Sequence, residues 1–393
     1  MRETTTIPAL GDFYTYWAAA KYTEKFQSPA IYAENGKNLV KEYCSSPESG
    51  IERATSASAA RRPASENTQT PLLYALTSAF TTLEYGKNVY WFKIISLLMM
   101  VAVSIASFRF WDYGLDEALI LFSFQLLVFK PLTGDLYTDN INSVQWFLLM
   151  AILLAMNSKM RWRDFFAGFS LCFLLLIKPN IFLVPLFLLI SRIAHKDWRR
   201  LRGECIGAAA GLAAGIGLGG YFFGSVWVWK DWAFKLASFP VEAGSIEALN
   251  FALPVILKNL TGSDLSGAVL VIGLALASFR IWLLASKNMS VGQGKDGDGL
   301  FDLQLIAAGM AGFLIFSKIA WYHYYTMLLP MIYLMLSKKW REAQSKLLNL
   351  ATLAVISIFA IYSPQLPVVY TAIYTYLIAL YLFIIGTSRP VSA

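Results

Sequence analysis

The 393-residue sequence is poor in charge, in histidine and in cysteine. Charged side chains make up 15%, against about 25% in soluble globular chains, while hydrophobic residues reach 57%. A water-soluble fold cannot hide that much apolar surface, whereas a bilayer accommodates it. Two His and three Cys, with no pair at metal-ligand spacing, exclude a Cys/His zinc site. Cys172 and Cys205 lie in apolar segments and read as buried filler, and Cys44 sits in a polar loop. Lys and Arg outnumber Asp and Glu by 33 to 25, but they are scattered through short loops rather than gathered on one face. Nucleic acid is therefore not an expected partner.

What the chain has instead is apolar runs and rings. Residues 1–70 are polar, with a Ser/Ala/Arg-rich stretch at Ser56–Ser65. Beyond them, apolar segments are predicted at about 71–86, 89–108, 116–130, 141–157, 164–177, 179–193, 205–223, 264–285, 301–317, 322–337, 347–363 and 367–386. The expected fold class is an all-α polytopic membrane protein of about 10–12 hydrophobic helices, with residues 1–70 as an outer region and 71–393 as the multi-span domain. Aromatics at 15%, twelve Trp among them, suit interfacial belts.

Basic residues orient the bundle. Arg109, Lys159–Arg163, Arg192–Arg202, Lys287–Lys295 and Lys338–Arg341 form one set of loops, expected to be cytoplasmic. Lys130–Asn140, Val226–Asp264, Lys318–Tyr325 and Ser363–Pro367 form the other, where acids and bases balance. Both flanks of Asp164–Ile193 are basic, so this segment is expected to enter and leave on one side as a hairpin broken at Lys178-Pro179-Asn180. Each arm of about fourteen residues reaches about 21 Å against a hydrocarbon core of about 30 Å. Lys178 would then stand inside the membrane and need a wet cavity and an anionic partner, or would snorkel outward from tilted helices.

Other features read as structural. Gly207, Gly211, Gly215 and Gly219 recur every fourth residue and leave one helix face bare for close packing. They lack the strand context and Lys-Ser/Thr of a phosphate loop. The Gly292–Gly299 run lacks the ligand spacing of a calcium loop and reads as a linker. Trp227, Trp229, Trp232 and Phe234, interleaved with Lys230, Asp231 and Lys235, describe a helix lying in the interface.

Four outward clusters carry the polar residues that membrane depth discourages. They are Gly11-Asp12-Phe13-Tyr14-Thr15-Tyr16-Trp17, the Asp135–Asn142 stretch with Asp139 and Asn140, the Lys178 tip, and Trp321-Tyr322-His323-Tyr324-Tyr325 beside Lys318. Asp12 among rings reads as a positioned base or as the N-cap of a helix starting at Phe13. Asp139 reads equally as an N-cap of the 141–157 helix. Together the clusters offer a carboxylate to deprotonate a hydroxyl, cations for a leaving phosphate and rings for the apolar faces of sugars. With no acidic cluster to hold Mg²⁺, a lipid monophosphate fits the leaving group better than a nucleotide diphosphate.

These stretches resemble glycosyltransferase family 87, polytopic enzymes of the GT-C superfamily that use polyprenyl-phosphate sugars. Gly11-Asp12-Phe13-Tyr14 with Trp17 and the downstream Ile31-Tyr32 matches the family's first outer loop, which carries the catalytic Asp. Thr70-Pro71-Leu72-Leu73-Tyr74 matches its Tyr-Pro-Pro-Leu, and Asp139-Asn140-Ile141-Asn142 stands where the family often has Gly-Gln-x-Asn. Leu176-Ile177-Lys178-Pro179 matches its Leu-Lys-Pro break, and Trp321-Tyr322-His323-Tyr324 its Trp-x-His-His/Tyr motif before Leu328-Leu329-Pro330. The matches keep their order over nearly the whole chain. The Asp139-Asn140 pair departs from the pattern by adding a negative charge. The family also begins with a membrane helix ahead of the Asp loop, whereas Asp12 lies eleven residues after Met1, with no signal peptide read there. A missed upstream start or a truncated gene is the preferred expectation. The alternative topology keeps 1–70 cytoplasmic.

The resemblance implies that Asp12 is the catalytic base and that Lys178, His323 and Tyr324 hold the donor phosphate. Tyr16, Trp17, Asp139, Asn140, Asn142, Trp321 and Tyr322 would line the substrates. It implies an inverting hexosyltransferase, mannosyltransferase-like, acting at the outer face of a bacterial inner membrane. The donor would be a polyprenyl-phosphate sugar, the acceptor a lipid or glycan, and no metal or other cofactor is expected. One base suffices for a direct displacement, and a retaining mechanism would need a second carboxylate, for which Asp139 is the nearest candidate. The alternatives are a flippase for lipid-linked sugars, which shares the broken helix, and a surface-polysaccharide polymerase or ligase.

Overall fold

The computed structural model describes residues 11–61, 67–82, 84–110, 113–156, 160–238, 246, 249–290, 298–317, 319–343, 345–360 and 368–388. The Gly292–Gly299 linker, the 363–367 loop, Ser56–Ser65, Lys159 and Lys318 fall outside these residues in whole or in part. Among them stand nineteen α-helices and no strand, the one β-bridge joining Asn250 and Trp321.

The polar lead is helical: α1 (Asp12–Phe26), α2 (Gly36–Ser45) and α3 (Arg53–Arg61). With α4 (Pro71–Ser78), α1 forms a layer around Phe13, Tyr14, Trp17, Tyr74 and Tyr85. The expected segment 71–86 is therefore not a span. Helix α4 ends at Ser78, and Thr77 Oγ1, Ser78 Oγ and Thr81 Oγ1 donate to Leu73 O, Ala75 O and Ser78 O at 2.8, 2.7 and 2.7 Å around that end.

The chain continues through α5 (Tyr85–Phe110), α6 (Leu115–Ser123), a π-helical stretch Phe124–Val128 and α7 (Lys130–Thr138). The 115–128 and 130–138 helices meet at 59°, as Pro131 in the first turn of α7 requires. Lys130–Asn140, expected as a loop, is thus largely helix. Next come α8 (Asn142–Met156), α9 (Arg163–Ile177), α10 (Leu183–Ala194), α11 (Trp198–Phe222), α12 (Val228–Ser238), α13 (Leu253–Thr261), α14 (Ser266–Ser290) and α15 (Asp298–Phe316). The last four are α16 (Leu329–Leu336), α17 (Lys338–Ala343), α18 (Lys346–Ala360) and α19 (Val368–Gly386). Four of them, α5, α11, α14 and α19, are long and apolar enough to cross a membrane, or five spans if the bent pair counts as one. Exposed Leu98, Ile105, Val271 and Phe279 on α5 and α14 are apolar surface suited to lipid. The chain is an all-α, multi-pass membrane protein. Its centre is α15, buried all round and packed on α10, α16 and α19.

The 164–193 segment is a hairpin, and its ends meet. Arg192, at the end of α10, grips Asp302 of α15 in a bidentate pair at 2.8 and 3.0 Å. Arg200 of α11 adds a bond to Asp302 at 3.0 Å and lies 3.6 Å from Asp164 at the start of α9. Glu204 completes the cluster at 3.2 Å from Arg192. Four helices are thus pinned at the base of the hairpin, opposite its Lys178 tip.

The glycine stripe meets backbone. A Cβ on Gly207 or Gly211 would stand 2.0 and 2.4 Å from the carbonyl oxygens of Phe165 and Phe169, so α11 rides directly on α9. At Gly215 the neighbour is the Cδ1 end of Leu176, at 2.5 Å. Gly211→Ala should therefore cost about 1–3 kcal/mol of stability and Gly215→Ala markedly less, read as melting temperatures in detergent. Equal losses would contradict this packing. Helix α12, expected at the interface, is tied down by two of its rings: Trp229 Nε1 donates to Ile216 O and Trp232 Nε1 to Thr68 O, at 3.2 and 3.0 Å. Trp227 and Phe234 stay exposed.

Candidate functional site

Three interruptions of helical structure bring the polar clusters together. The first is the Lys178-Pro179 break. Pro179 forces Lys178 into an extended conformation (φ −152°, ψ 113°), ending α9. The carbonyls freed by the break find partners: Thr70 Oγ1 donates to Ile177 O at 2.9 Å and Gln145 Nε2 to Lys178 O at 3.2 Å. The second is the α7–α8 turn. Asp139 takes a left-handed conformation (φ 57°) as the C-cap of α7, and its N–H and that of Asn140 both bond Asp135 O. Asp139 is thus not the N-cap of α8. The third is the 3₁₀ stretch Tyr322–Leu328, reached through a turn pinned by Asn250, whose Oδ1 accepts from Ala320 N at 2.8 Å.

The Asp12 loop docks onto the second interruption. Gly11 is the N-cap of α1 and Asp12 its first residue, so Asp12 does not serve as the cap. A Cβ on Gly11 would lie 2.6 Å from Thr138 O and 2.7 Å from Asp139 Oδ2. Only glycine allows that approach, which sets the Asp12 carboxylate beside Asn140.

Asn140 is the hub. Its Nδ2 donates to Asp12 Oδ2 at 2.7 Å and lies 3.1 Å from His323 Nε2, while its Oδ1 accepts from Lys178 Nζ at 2.6 Å. Lys178 donates a second time to Asn142 Oδ1 at 2.9 Å, and its ammonium stands 4.4 Å from the Tyr324 ring centroid. Asn142 Nδ2 in turn donates to Asp135 Oδ1 at 2.6 Å. His323 Nε2 is 3.7 Å from Asp12 Oδ2. Lys178 is 3% exposed, whereas the Asp12 side chain keeps 37% of its surface open, so the carboxylate is the member that an incoming substrate can reach.

The remaining candidates distribute around this hub. Tyr16, buried one turn along α1 from Asp12, has its phenol pKa pushed well above the ordinary value by burial and then by the charge of Asp12. Trp17 turns into the ring cluster between α1 and α4, 5.3 Å from Tyr85. Asp139 pairs with Lys93 of α5 at 3.1 Å. Burial raises its pKa, Lys93 opposes that, and Asp12 adds to it. Trp321 and Tyr322 are half-buried and engage the 249–251 strip, Tyr322 N donating to Leu249 O at 2.9 Å. The partners of Lys178 in this structure are two amide oxygens, each standing between it and a carboxylate. Sequence reasoning gave no role to Asp135, Lys93, Gln145 or Asn250. Asp135 had one signal, its place in the polar stretch seven residues before Asn142. Among the described residues, no three His, Cys, Asp or Glu gather in a metal-holding group.

The sequence model of glycosyltransferase family 87 matches residues 67–294, more than half of the 393-residue chain. The chain belongs to glycosyltransferase family 87. It is an enzyme that transfers sugar, and a lipid-embedded one. No curated protein and no solved structure matches it. The matched stretch of this family 87 chain holds Asn140, Asn142 and Lys178, while Asp12 and His323 flank it on either side. The Asn140 hydrogen bonds join all three parts in one place.

Proposed function

We propose that this family 87 chain is an inverting hexosyltransferase, mannosyltransferase-like, that uses a polyprenyl-phosphate sugar and a lipid or glycan acceptor. Its site would face outward from a bacterial inner membrane, as the basic-loop pattern of the sequence supports. The single observation that carries the reading is the Asn140 amide, which ties an open carboxylate to a buried ammonium and an imidazole.

In this reading Asp12 takes the proton of the acceptor hydroxyl as its oxygen attacks the anomeric carbon. The bond between that carbon and the phosphate oxygen breaks, and the electron pair leaves on polyprenyl phosphate. Lys178, with an N–H of His323, stabilises the charge that gathers there. Asn140 fixes the distance between base and cation. Tyr324, under the Lys178 ammonium, limits where the phosphate can settle. Asp139, held by Lys93, keeps a buried position rather than that of a second nucleophile, which supports inversion. No cofactor is needed for these steps.

The test is turnover by the purified chain in lipid nanodiscs. Short-chain polyprenyl-phosphate mannose, glucose and galactose are offered beside the corresponding nucleotide sugars, with lipid extract as acceptor. Consumption of a lipid-phosphate sugar, with release of polyprenyl phosphate, is expected. Use of a nucleotide sugar, or passage of the intact lipid-linked sugar across the membrane without cleavage, would overturn the reading.

A further inference from the structure

Asp135 is fully buried on α7, and no cation stands within ion-pair distance of it among the described residues. A buried carboxylate in that state is costly unless every lone pair is used and a positive charge is near. Its two oxygens are used: Oδ1 accepts from Asn142 Nδ2 at 2.6 Å and Oδ2 from Ser143 N at 3.3 Å. Its main-chain carbonyl meanwhile accepts from Asn140 N at 3.1 Å. One residue thus touches both asparagines that hold Lys178, Asn142 through its side-chain amide and Asn140 through its main-chain N–H.

The hydrogen bonds run as a five-member chain: Asp12, Asn140, Lys178, Asn142, Asp135. Each amide gives its NH₂ to a carboxylate and its oxygen to the same ammonium, so each carboxylate dictates which way its amide points. A flipped Asn142 would offer N–H groups to Lys178 and take from Asp135 Oδ1 its donor, leaving the carboxylate only Ser143 N. The Asp12 arm opens to substrate, and the Asp135 arm is sealed.

We infer that Asp135 is a positioning residue, which orients Asn142 and through it holds the Lys178 ammonium in place with a fixed negative charge behind it. The functional part of this inference rests on the reading of Lys178 as the donor-phosphate ligand. The device keeps Lys178 charged and aimed before any phosphate arrives, without a salt bridge that the phosphate would have to break. An ammonium held by neutral amide oxygens retains its attraction for an incoming anion, whereas direct pairing with Asp135 would quench it.

The test reads Lys178 itself. Reductive methylation with formaldehyde and cyanoborohydride, on the full chain in detergent, is followed lysine by lysine by mass spectrometry, with Lys21 as internal reference. Asp135→Asn removes the charge and one of the two acceptors, which lets Asn142 turn and leaves more of Lys178 uncharged. Lys178 should then be methylated several-fold faster. Asn142→Leu should speed it likewise, and the double variant no more than either single one, because the effects share one route. Donor KM should rise several-fold in Asp135→Asn with acceptor KM unchanged. Unchanged Lys178 labelling in either single variant, or additive effects in the double, would overturn the inference. If Asp135→Asn does not fold, Asn142→Leu alone decides by the same labelling. Faster labelling in a protein that transfers no sugar would sustain the positioning role and sink the donor reading.

Discussion

Asp12→Asn is expected to lower turnover by about 10²–10⁴-fold, the usual weight of a positioned general base. The substitution keeps shape and keeps an oxygen to accept from Asn140 Nδ2, so the hub should survive. What disappears is the proton acceptor. Melting temperature should move little, because the side chain is partly exposed. Residual turnover should fall further in Asp12→Asn/His323→Phe, because His323, 3.7 Å from Asp12, is read as a second donor to the leaving phosphate. Near-normal turnover of well-folded Asp12→Asn would remove Asp12 from the mechanism.

Lys178→Ala is expected to cost about 10²–10³-fold in turnover, the range seen when one charge-stabilising donor is lost from a preorganised site. It also takes one donor from each of two amide oxygens, which keep Ile141 N at 2.8 Å and Asn180 Nδ2 at 3.4 Å, so melting temperature should fall only modestly. Farnesyl phosphate, a short chain bearing the leaving group without the sugar, separates the two effects. Its affinity for folded Lys178→Ala should drop at least tenfold, and Lys178→Arg should recover part of that loss, since charge is kept while geometry changes. Unchanged affinity in both variants would reduce Lys178 to an anchor of the hairpin tip.

Much of this arrangement was legible in the sequence, for reasons that differ by element. The hairpin could be read because basic residues at both ends and Pro179 in the middle are local signals, and the ends do meet at Arg192, Asp302, Arg200 and Asp164. The glycine stripe was legible because a four-residue period is a helix face, and it lies on α9. Members of all four polar clusters converge on Asn140 or Lys178, as shared chemistry suggested.

What failed was local hydrogen bonding and remote pairing. Apolar content at 71–86 hid the end of α4 at Ser78, where Thr77 and Ser78 hydroxyls bond back to the chain. Asp12 and Asp139 looked like caps because acids before helices usually are. Instead Gly11 takes the N-cap position of α1, where a close backbone approach demands it, and the left-handed turn ends α7 at Asp139. The Lys93–Asp139 pair joins residues far apart in sequence, and the Asp135–Asn142 bond crosses a turn whose shape no periodicity announces. Lys178 was expected to have an anionic partner, in the resting or the loaded enzyme. Pattern alone could not show that two amides would be interposed.

The central claim is that Asp12 and Lys178 act on the two ends of one displacement at a polyprenyl-phosphate sugar. The most direct measurement is the anomeric configuration of the product, by NMR, when the purified chain is given a donor of defined anomer. Polyprenyl phosphate released per sugar transferred is counted in the same reaction. Inversion with one phosphate released per transfer, both abolished together in Asp12→Asn, is the expected result. Retention of configuration, or release of phosphate that persists in Asp12→Asn while transfer stops, would contradict a single-base displacement at this site.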